Sequence, residues 1–410
     1  MLKDLKESQQ LSSLLCIKLI VMGIVVGLTV GTIDSFFGQI LLFLSSLRSS
    51  FPLYFIPFLG LAGLLIVTLY HYFGGKASKG MGLIFEVGHG REDKIPLRLI
   101  PLVTATTWLT HLFGGSAGRE GVAVQLGATI SHYFSRFFNF TNKSRIFLVT
   151  GMAAGFAGLF QTPMAAVFFA LEVLVLGSVD LIALFPAITA SFVASTTSHF
   201  LGLEKFSHLI SVDLSLDIRT FVKLALLGLI FGLVGNAFAV FLSYAKVKAS
   251  QIIKNPFYRI FFGGLILSVI FIVLYMGRYS GLGTNLIEAS FSGESIYGYD
   301  WILKLILTVL TLSIGFQGGE VTPLFAIGAS LGVVLAIYFG LPIELAAAMG
   351  YISVFASATN TFLAPIFIGG EVFGFENLPY FFVVVSFAYL LNRRNSIYSL
   401  QKVLEIQEEV

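Results

Sequence analysis

Long apolar runs, cut at short intervals by glycine, proline or charge, follow one another along almost the whole chain. A helix needs about 20 apolar residues to cross a bilayer. Runs near this length predict spanning helices at 14–34, 52–73, 181–203, 220–245, 257–277 and 378–392. Shorter runs lie at 97–113, 118–134, 146–160, 163–177, 301–314, 323–340, 343–358 and 361–373. The pattern predicts an all-α polytopic membrane protein in which many helices are tilted, broken or half-spanning.

The composition supports a protein embedded in a lipid bilayer. Of the 410 residues, 56% are hydrophobic and 11% are charged, and the mean hydropathy is +0.90. A soluble globular protein carries roughly 25% charged residues, so this chain could not cover a water-facing surface. The net charge of +3 gives no indication of a nucleic-acid partner, and the single Cys16 excludes an internal disulfide or a cysteine metal centre. We expect no cofactor and no bound metal.

Two segments in the two halves of the chain indicate an internal duplication. The stretch GMAAGFAGLFQTPMAAVFFALE (151–172) aligns without a gap on GYISVFASATNTFLAPIFIGGE (350–371), with 7 of 22 positions identical. A charged glycine motif precedes each segment. Interrupted apolar segments at corresponding places of two halves are typical of transporter binding sites. We interpret 1–203 and 220–392 as two related halves, joined by a linker at 204–219.

The ends of the chain carry the signals for orientation. The first residues, about 1–13, are mixed in charge and contain no small-residue cleavage site, so they predict a cytoplasmic helix rather than a signal peptide. A pair of arginines, Arg393 and Arg394, follows the last apolar run and favours a cytoplasmic C-terminal segment at 393–410. We expect both termini in the cytoplasm.

The stretch GGSAGREGVAVQLG (114–127) places Arg119 and Glu120 between Gly118 and Gly121 inside an apolar region. A membrane-embedded charge costs ~2.5–3.5 kcal/mol on insertion scales and usually has a function. Glycines free the backbone, and the N–H groups and dipole of a helix start form an anion site. We expect the Glu120 carboxylate to occupy such a site and to leave it when protonated or displaced by an anion. The alternative is a structural ion pair between Arg119 and Glu120.

The second motif, GGEVTPLFAIG, repeats this arrangement. Gly318 and Gly319 break the chain, Pro323 suits a first helical turn, and Glu320 and Thr322 bring polar atoms to the break. Two such motifs that face each other would build one anion site from two helix starts.

A third break is SKGMGLIFE, in which Gly80 and Gly82 flank Met81. A methionine most often serves as packing. Beside an ion pathway it would provide a polarisable wall without a hydrogen-bond donor.

These motifs resemble the CLC family of chloride channels and proton-coupled antiporters. GREGVAVQLGA resembles that family's glutamate motif, the 151–172 segment is similar to its next hairpin, and GGEVTPLFAIGASLG resembles its second anion motif. The resemblance covers essentially the whole chain. It implies an inverted repeat of tilted and half-spanning helices, a homodimer in the plasma membrane with one pore per subunit, and a gating glutamate at Glu120. The residues it implies for anion binding or pore lining are Gly80, Met81, Gly82, Gly118, Arg119, Gly121, Val122, Gly319, Val321, Thr322 and Tyr398.

Several departures from the common family pattern point to one subclade. Met81 stands where chloride-handling members carry a serine, and Glu320 and Thr322 are also unusual. Val122 replaces a proline, and Val173 replaces an internal proton-transfer glutamate. The pattern resembles the fluoride-exporting, CLC-F type fluoride/proton antiporters. We expect fluoride export in exchange for protons, with a chloride/proton antiporter or passive anion channel as the alternative.

Glu320 needs its own explanation, because a carboxylate beside an anion site would repel the anion. We hypothesise that Glu320 binds fluoride as a neutral hydrogen-bond donor or relays the proton. None of the six histidines stands in an HExxH pattern, so we expect a transporter rather than an intramembrane enzyme.

Overall fold

The computed structural model describes residues 13–140, 142–176, 181–212, 214–391 and 394–403. Of these described residues, 77% are helical. The helix predicted at about 1–13 lies outside the described residues except for its last position, and so do Arg393 and 404–410.

The helices of the first half are connected by short breaks. They are α1 (Ser13–Ser50), α2 (Pro52–Phe55), α3 (Leu59–Phe73), α4 (Met81–Gly88), α5 (Leu99–Leu112), α6 (Glu120–Phe134), α7 (Lys143–Phe160), α8 (Pro163–Glu172) and α9 (Leu184–Phe200). Those of the second half are α10 (Ile218–Ile252), α11 (Pro256–Val273), α12 (Thr284–Ser292), α13 (Asp300–Ile314), α14 (Val321–Phe339), α15 (Ile343–Thr359), α16 (Leu363–Phe373) and α17 (Leu378–Leu390). Single 3-10 turns lie at Ile56–Phe58, Gly75–Lys79, Ser135–Phe137, Leu181–Ala183, Tyr275–Gly277 and Phe375–Asn377.

Five described helical stretches are long and apolar enough to cross a membrane: 15–50, 52–73, 218–252, 256–273 and 321–339. The predicted first span was too short, because α1 continues past 34 to Ser50. Gly38 alone does not end it, since this glycine packs against Leu159 and Leu203, and the helix stops only before Pro52. Conversely, α9 has 17 residues and α17 has 13, fewer than the predicted spans at 181–203 and 378–392. Tilted and half-length helices are therefore mixed with full spans, as predicted.

Matching glycines set the closest helix crossings in both halves. A Cβ on Gly127 of α6 would lie 2.1 Å from the Gly151 carbonyl of α7, and a Cβ on Gly328 of α14 would lie 2.1 Å from the Gly350 carbonyl of α15. Only glycine permits backbones to approach so closely. The same crossing therefore forms twice.

The two aligned segments also end their first helix alike. Gln161 follows α7 with φ 56°, and Asn360 follows α15 with φ 52°, so both occupy the left-handed region. These two residues stand at the same position of the gapless alignment. The local backbone thus follows the internal duplication, while the boundaries of the two halves stay a prediction.

The next helices, α8 and α16, cap each other. Glu371 at the end of α16 accepts hydrogen bonds from the backbone N–H groups of Met164 (3.1 Å) and Ala165 (2.9 Å) at the start of α8. Glu172 at the end of α8 accepts from three N–H groups around the start of α16, with lengths of 2.9–3.2 Å. Each carboxylate satisfies N–H groups that a helix start leaves without a partner.

A short parallel ladder fixes the chain after the last helix. Strand β1 (Val175–Leu176) pairs with β2 (Lys402–Val403) directly behind α8. The ladder holds the non-helical segment that contains Tyr398 against the first half of the protein.

Candidate functional site

The two charged glycine motifs meet directly. Gly118 and Gly319 form an antiparallel bridge in which Gly118 N–H donates to the Gly319 carbonyl at 2.5 Å and Gly319 N–H donates to the Gly118 carbonyl at 2.8 Å. Gly318, with φ 151°, precedes this bridge in a conformation that favours glycine. Because α6 begins at Glu120 and α14 at Val321, the bridge brings two helix starts to one place.

The Glu120 side chain reaches from α6 to the start of α14. Its Oε2 accepts hydrogen bonds from the Thr322 hydroxyl (2.5 Å), the Thr322 N–H (3.2 Å) and the Arg119 N–H (3.3 Å). Glu120 is only 1% exposed. The N–H groups and the positive dipole end of a helix start favour an anion at this point. The carboxylate thus lies where a free anion would be held.

Arg119 is the nearest cation to that carboxylate. Its Nε is 3.8 Å from Glu120 Oε1, too far for a hydrogen bond, and within the described residues the buried Nε and Nη1 have no hydrogen-bond partner. Glu120 therefore has an ion contact with Arg119 and also hydrogen-bonds at the start of α14, and the choice between the two predicted roles stays a prediction.

A cavity of about 280 Å³ opens beside the bridge. Seven of the predicted site residues line it: Gly80, Met81, Gly82, Gly121, Gly319, Glu320 and Tyr398. The third break is formed as expected, because Gly80 has φ +52° and α4 begins at the following residue, Met81. The cavity thus connects a third helix start with the bridge between the first two.

The remaining predicted residues lie next to the cavity. Gly118 and Arg119 precede α6, and Val122, Val321 and Thr322 lie in the first turns of α6 and α14, all three buried. Val122 and Val321 offer only apolar side chains at these starts.

Tyr398 is held by aromatic and backbone contacts. Its ring lies 5.3 Å from that of Phe85 in a stacked arrangement and 6.2 Å from that of Phe169 in an edge arrangement. Its backbone N–H donates to the Ser396 hydroxyl, and the neighbouring Ile397 N–H donates to the Ala358 carbonyl. A polar ring is thereby fixed at the cavity wall.

Glu320 differs from Glu120 in its surroundings. It directly precedes α14, lines the cavity, and its side chain is 17% exposed. Its Oε1 lies 3.7 Å from Lys246 Nζ of α10. The second glutamate therefore faces an aqueous opening and a lysine, whereas the first is buried among hydrogen-bond donors.

Sequence reasoning did not assign several polar cavity residues to the site, among them Lys79, Gln125 and Lys246. Gln125 stands within the quoted GREGVAVQLG stretch, four positions and about one helical turn after Gly121, and this spacing along α6 could have indicated it. No local pattern links Lys246 to Glu320.

The place of the missing internal glutamate is apolar. Val173 is buried behind α8, and its carbonyl accepts a hydrogen bond from the Gln401 side chain at 2.9 Å. A valine cannot carry a proton, so a proton that reaches Glu120 from the inner side needs another group.

Comparison with known proteins bears on this site. A protein-family model described as "Voltage gated chloride channel" matches residues 62–393. The chain belongs to this family, the CLC family. A "Chloride/fluoride channel protein" of Pseudomonas syringae pv. tomato is 36% identical over 352 residues, which are 84% of this chain and 78% of that protein.

Solved structures agree with the family assignment. The crystal structure of a CLC-type fluoride/proton antiporter is 56% identical, superposes with a TM-score of 0.94, and covers 96% of this chain and 100% of its own. A slow cyanobacterial Cl−/H+ antiporter is 20% identical, with a TM-score of 0.79 over 91% of this chain and 93% of its own, and supports the fold alone. The predicted CLC resemblance and the multi-pass helical fold are confirmed.

Proposed function

We propose that this CLC protein exports fluoride in exchange for protons. The observation that carries the proposal is the Glu120 carboxylate bonded to the Thr322 hydroxyl and N–H at the start of α14. The 56% identity to a fluoride/proton antiporter and the similarity to a chloride/fluoride channel protein support the choice of ion.

Competition between the Glu120 carboxylate and fluoride for one site couples fluoride movement to proton movement. As an anion, Glu120 occupies the site at the start of α14. Protonation removes the negative charge that the helix dipole and the N–H groups favour. Fluoride that arrives from the cavity then takes the vacated place. Because one site serves both anions, a proton that Glu120 takes up from outside lets fluoride enter the site. Glu120 takes the site again as a carboxylate once fluoride has left outward and the proton has passed to the inner side.

Glu320 completes the inner end of the proton path. It lines the cavity at the start of α14, and Val173 offers no titratable side chain. As a neutral acid it donates a hydrogen bond to fluoride or relays the proton. Replacing Glu320 with glutamine keeps the donor and removes the relay, so fluoride binding that persists without proton movement assigns the relay role. Loss of fluoride binding in this variant would contradict the neutral-donor role.

The cavity wall favours fluoride over chloride. Met81 offers no hydrogen-bond donor, whereas the Thr322 hydroxyl, Tyr398 and backbone N–H groups can approach a small, strongly hydrogen-bonding anion. A chloride/proton antiporter or passive anion channel is the second candidate, and the family description favours it.

Purified protein in liposomes tests the function. Fluoride efflux is followed with an electrode while an internal dye reports pH, and chloride replaces fluoride in a matched set. We expect outward fluoride to drive proton entry and chloride to drive much less. Fluoride movement at constant internal pH would indicate a channel, and equal proton entry with chloride would indicate a chloride antiporter.

We propose a homodimer in the plasma membrane with one pore per subunit and both termini in the cytoplasm. Support comes from the family and from the multi-pass fold. Crosslinking in membranes should yield a species of twice the monomer mass. Tags at either end should be protected from protease in intact cells, and digestion of a tag from outside would reverse the orientation.

A further inference from the structure

The cavity contains one ion pair whose partners come from distant parts of the chain. Glu320 Oε1 and Lys246 Nζ are 3.7 Å apart, and both residues line the cavity with Met81, Gln125 and Tyr398. The Lys246 side chain is 47% exposed, whereas that of Glu320 is 17% exposed. The contact is a loose ion pair at an aqueous opening, so either partner can act on its own when the other loses its charge.

We propose that Lys246 links the proton on Glu320 to the capture of fluoride. While Glu320 is ionised, it compensates the Lys246 ammonium and the pair presents no net charge to an anion. When Glu320 takes up a proton, Lys246 becomes an uncompensated cation at the cavity and attracts fluoride toward the helix starts. The inference rests on the proton-carrying role proposed above for Glu320.

The other charged groups near the cavity form ion pairs with residues other than Glu320. Lys79 also lines it, but its Nζ is 2.6 Å from Glu86 Oε2 and 3.7 Å from Glu92 Oε1. Arg119 and Glu120 contact each other behind the bridge, and Tyr398 is neutral as a phenol. Among the described cavity residues, Lys246 is therefore the cation whose compensation depends on the proton state of Glu320.

The effect of the Lys246 charge on fluoride capture should be large because the cavity is confined. Walls of low dielectric focus the field of a cavity charge and raise the local concentration of a counter-ion by about tenfold or more. Loss of the cation also favours the protonated carboxyl, so the pH at which the cavity changes its charge should move upward.

Lys246→Met removes the charge and keeps an apolar side chain, and Lys246→Arg restores the charge. Lys248 provides the matched control, because it lies two positions further along α10 with its Nζ 5.6 Å from the centre of the Tyr244 ring. Each variant is reconstituted in liposomes, and the KM for internal fluoride is measured over a series of internal pH values. Gel filtration checks that each variant retains its fold.

In the wild type, the KM for fluoride should fall as internal pH falls. Lys246→Met should raise the KM by about tenfold, with the maximal rate largely kept, and should move the midpoint of the pH dependence upward. Lys246→Arg should behave like the wild type, and so should Lys248→Met. In Glu320→Gln the KM should be low at every pH, and adding Lys246→Met should raise it without restoring pH dependence.

A wild-type KM and midpoint in Lys246→Met would overturn the inference, and so would an equal change in Lys248→Met. At constant external pH, a dependence of the KM on internal pH that survives in Glu320→Gln would instead overturn the proton role of Glu320. Absence of proton entry in the wild type would overturn the antiport function itself.

Discussion

Two pairs of glutamates lie in related segments of the two halves, and only the pair that aligns residue for residue, Glu172 and Glu371, is used symmetrically. Glu172 and Glu371 each cap the start of the opposite half's helix, with three and two backbone N–H groups respectively. Glu120 and Glu320 belong to corresponding motifs, yet Glu120 is buried on Thr322, whereas Glu320 faces Lys246 and a cavity.

The capping glutamates have similar surroundings in the two halves, whereas Glu120 and Glu320 do not. A structural cap has the same task in each half, because every helix start leaves N–H groups that need partners. A coupled transporter needs one carboxyl that competes with the anion and another that exchanges protons with the inner side. In the proposed mechanism, two identical environments could not perform both tasks, which accounts for the different surroundings of Glu120 and Glu320.

The largest effect is expected from Glu120→Gln, which removes the competing charge while preserving shape. Proton movement driven by fluoride should fall by ~100-fold, the scale on which proton-transfer groups contribute. Vesicle pH recordings measure it. Glu371→Gln serves as the control from the symmetric pair and should keep proton coupling. Equal loss in both variants would contradict the division between gating and structural glutamates.

Thr322→Val should weaken the hold of α14 on the Glu120 carboxylate. A hydrogen bond to a charged group contributes about 1.5–3 kcal/mol, so the charged form of Glu120 should compete roughly tenfold less well. The measurement is the ratio of fluoride affinities at low and high pH, in which any direct loss of fluoride contact cancels. We expect a smaller ratio in Thr322→Val and a wild-type ratio in Thr322→Ser. An unchanged ratio in Thr322→Val would show that the Thr322 hydroxyl does not stabilise the Glu120 carboxylate in the site.

Glu172→Ala should destabilise the fold and leave the ion coupling of the folded fraction intact. Loss of a helix cap costs about 0.5–2 kcal/mol, and three N–H groups lose their acceptor. Thermal unfolding in detergent should show a lower transition temperature, and Glu371→Ala should show a slightly smaller decrease. If either alanine variant transported fluoride without protons at full stability, the symmetric pair would have a transport role.

The smallest effect is expected from Met81→Ser, which adds a donor at the cavity wall. A new hydrogen bond contributes about 1 kcal/mol, so chloride should compete with fluoride severalfold better. Competition of chloride against fluoride efflux measures the change, and Met81→Leu is the control without a donor. Equal chloride competition in both variants would show that Met81 does not contribute to the selectivity for fluoride over chloride.

The sequence predicted those features that depend on local pattern. Glycine and charge marked the three breaks at which α4, α6 and α14 begin, and the alignment anticipated the matched ends at Gln161 and Asn360. Placing Glu120 at an opposed helix start followed from backbone chemistry alone.

The features that could not be predicted from the sequence depend on contacts between distant segments of the chain. Glu320 directly precedes α14 and Lys246 lies in α10, and nothing local to either residue specifies a distance of 3.7 Å. The exchange of caps between α8 and α16 likewise requires the packed structure. The length of α1 was misjudged because a single glycine in a helix is tolerated where it packs against neighbours.

The central claim is that the Glu120 carboxylate and fluoride compete for the start of α14. Fluoride titration of purified wild type and Glu120→Gln by calorimetry, at several pH values, tests it most directly. We predict that wild-type affinity rises as pH falls. Glu120→Gln should bind fluoride more tightly than the wild type at high pH and depend less on pH, because only the dependence attributed to Glu320 and Lys246 is kept. Equal affinities and equal pH dependence in the two proteins would contradict competition at this site.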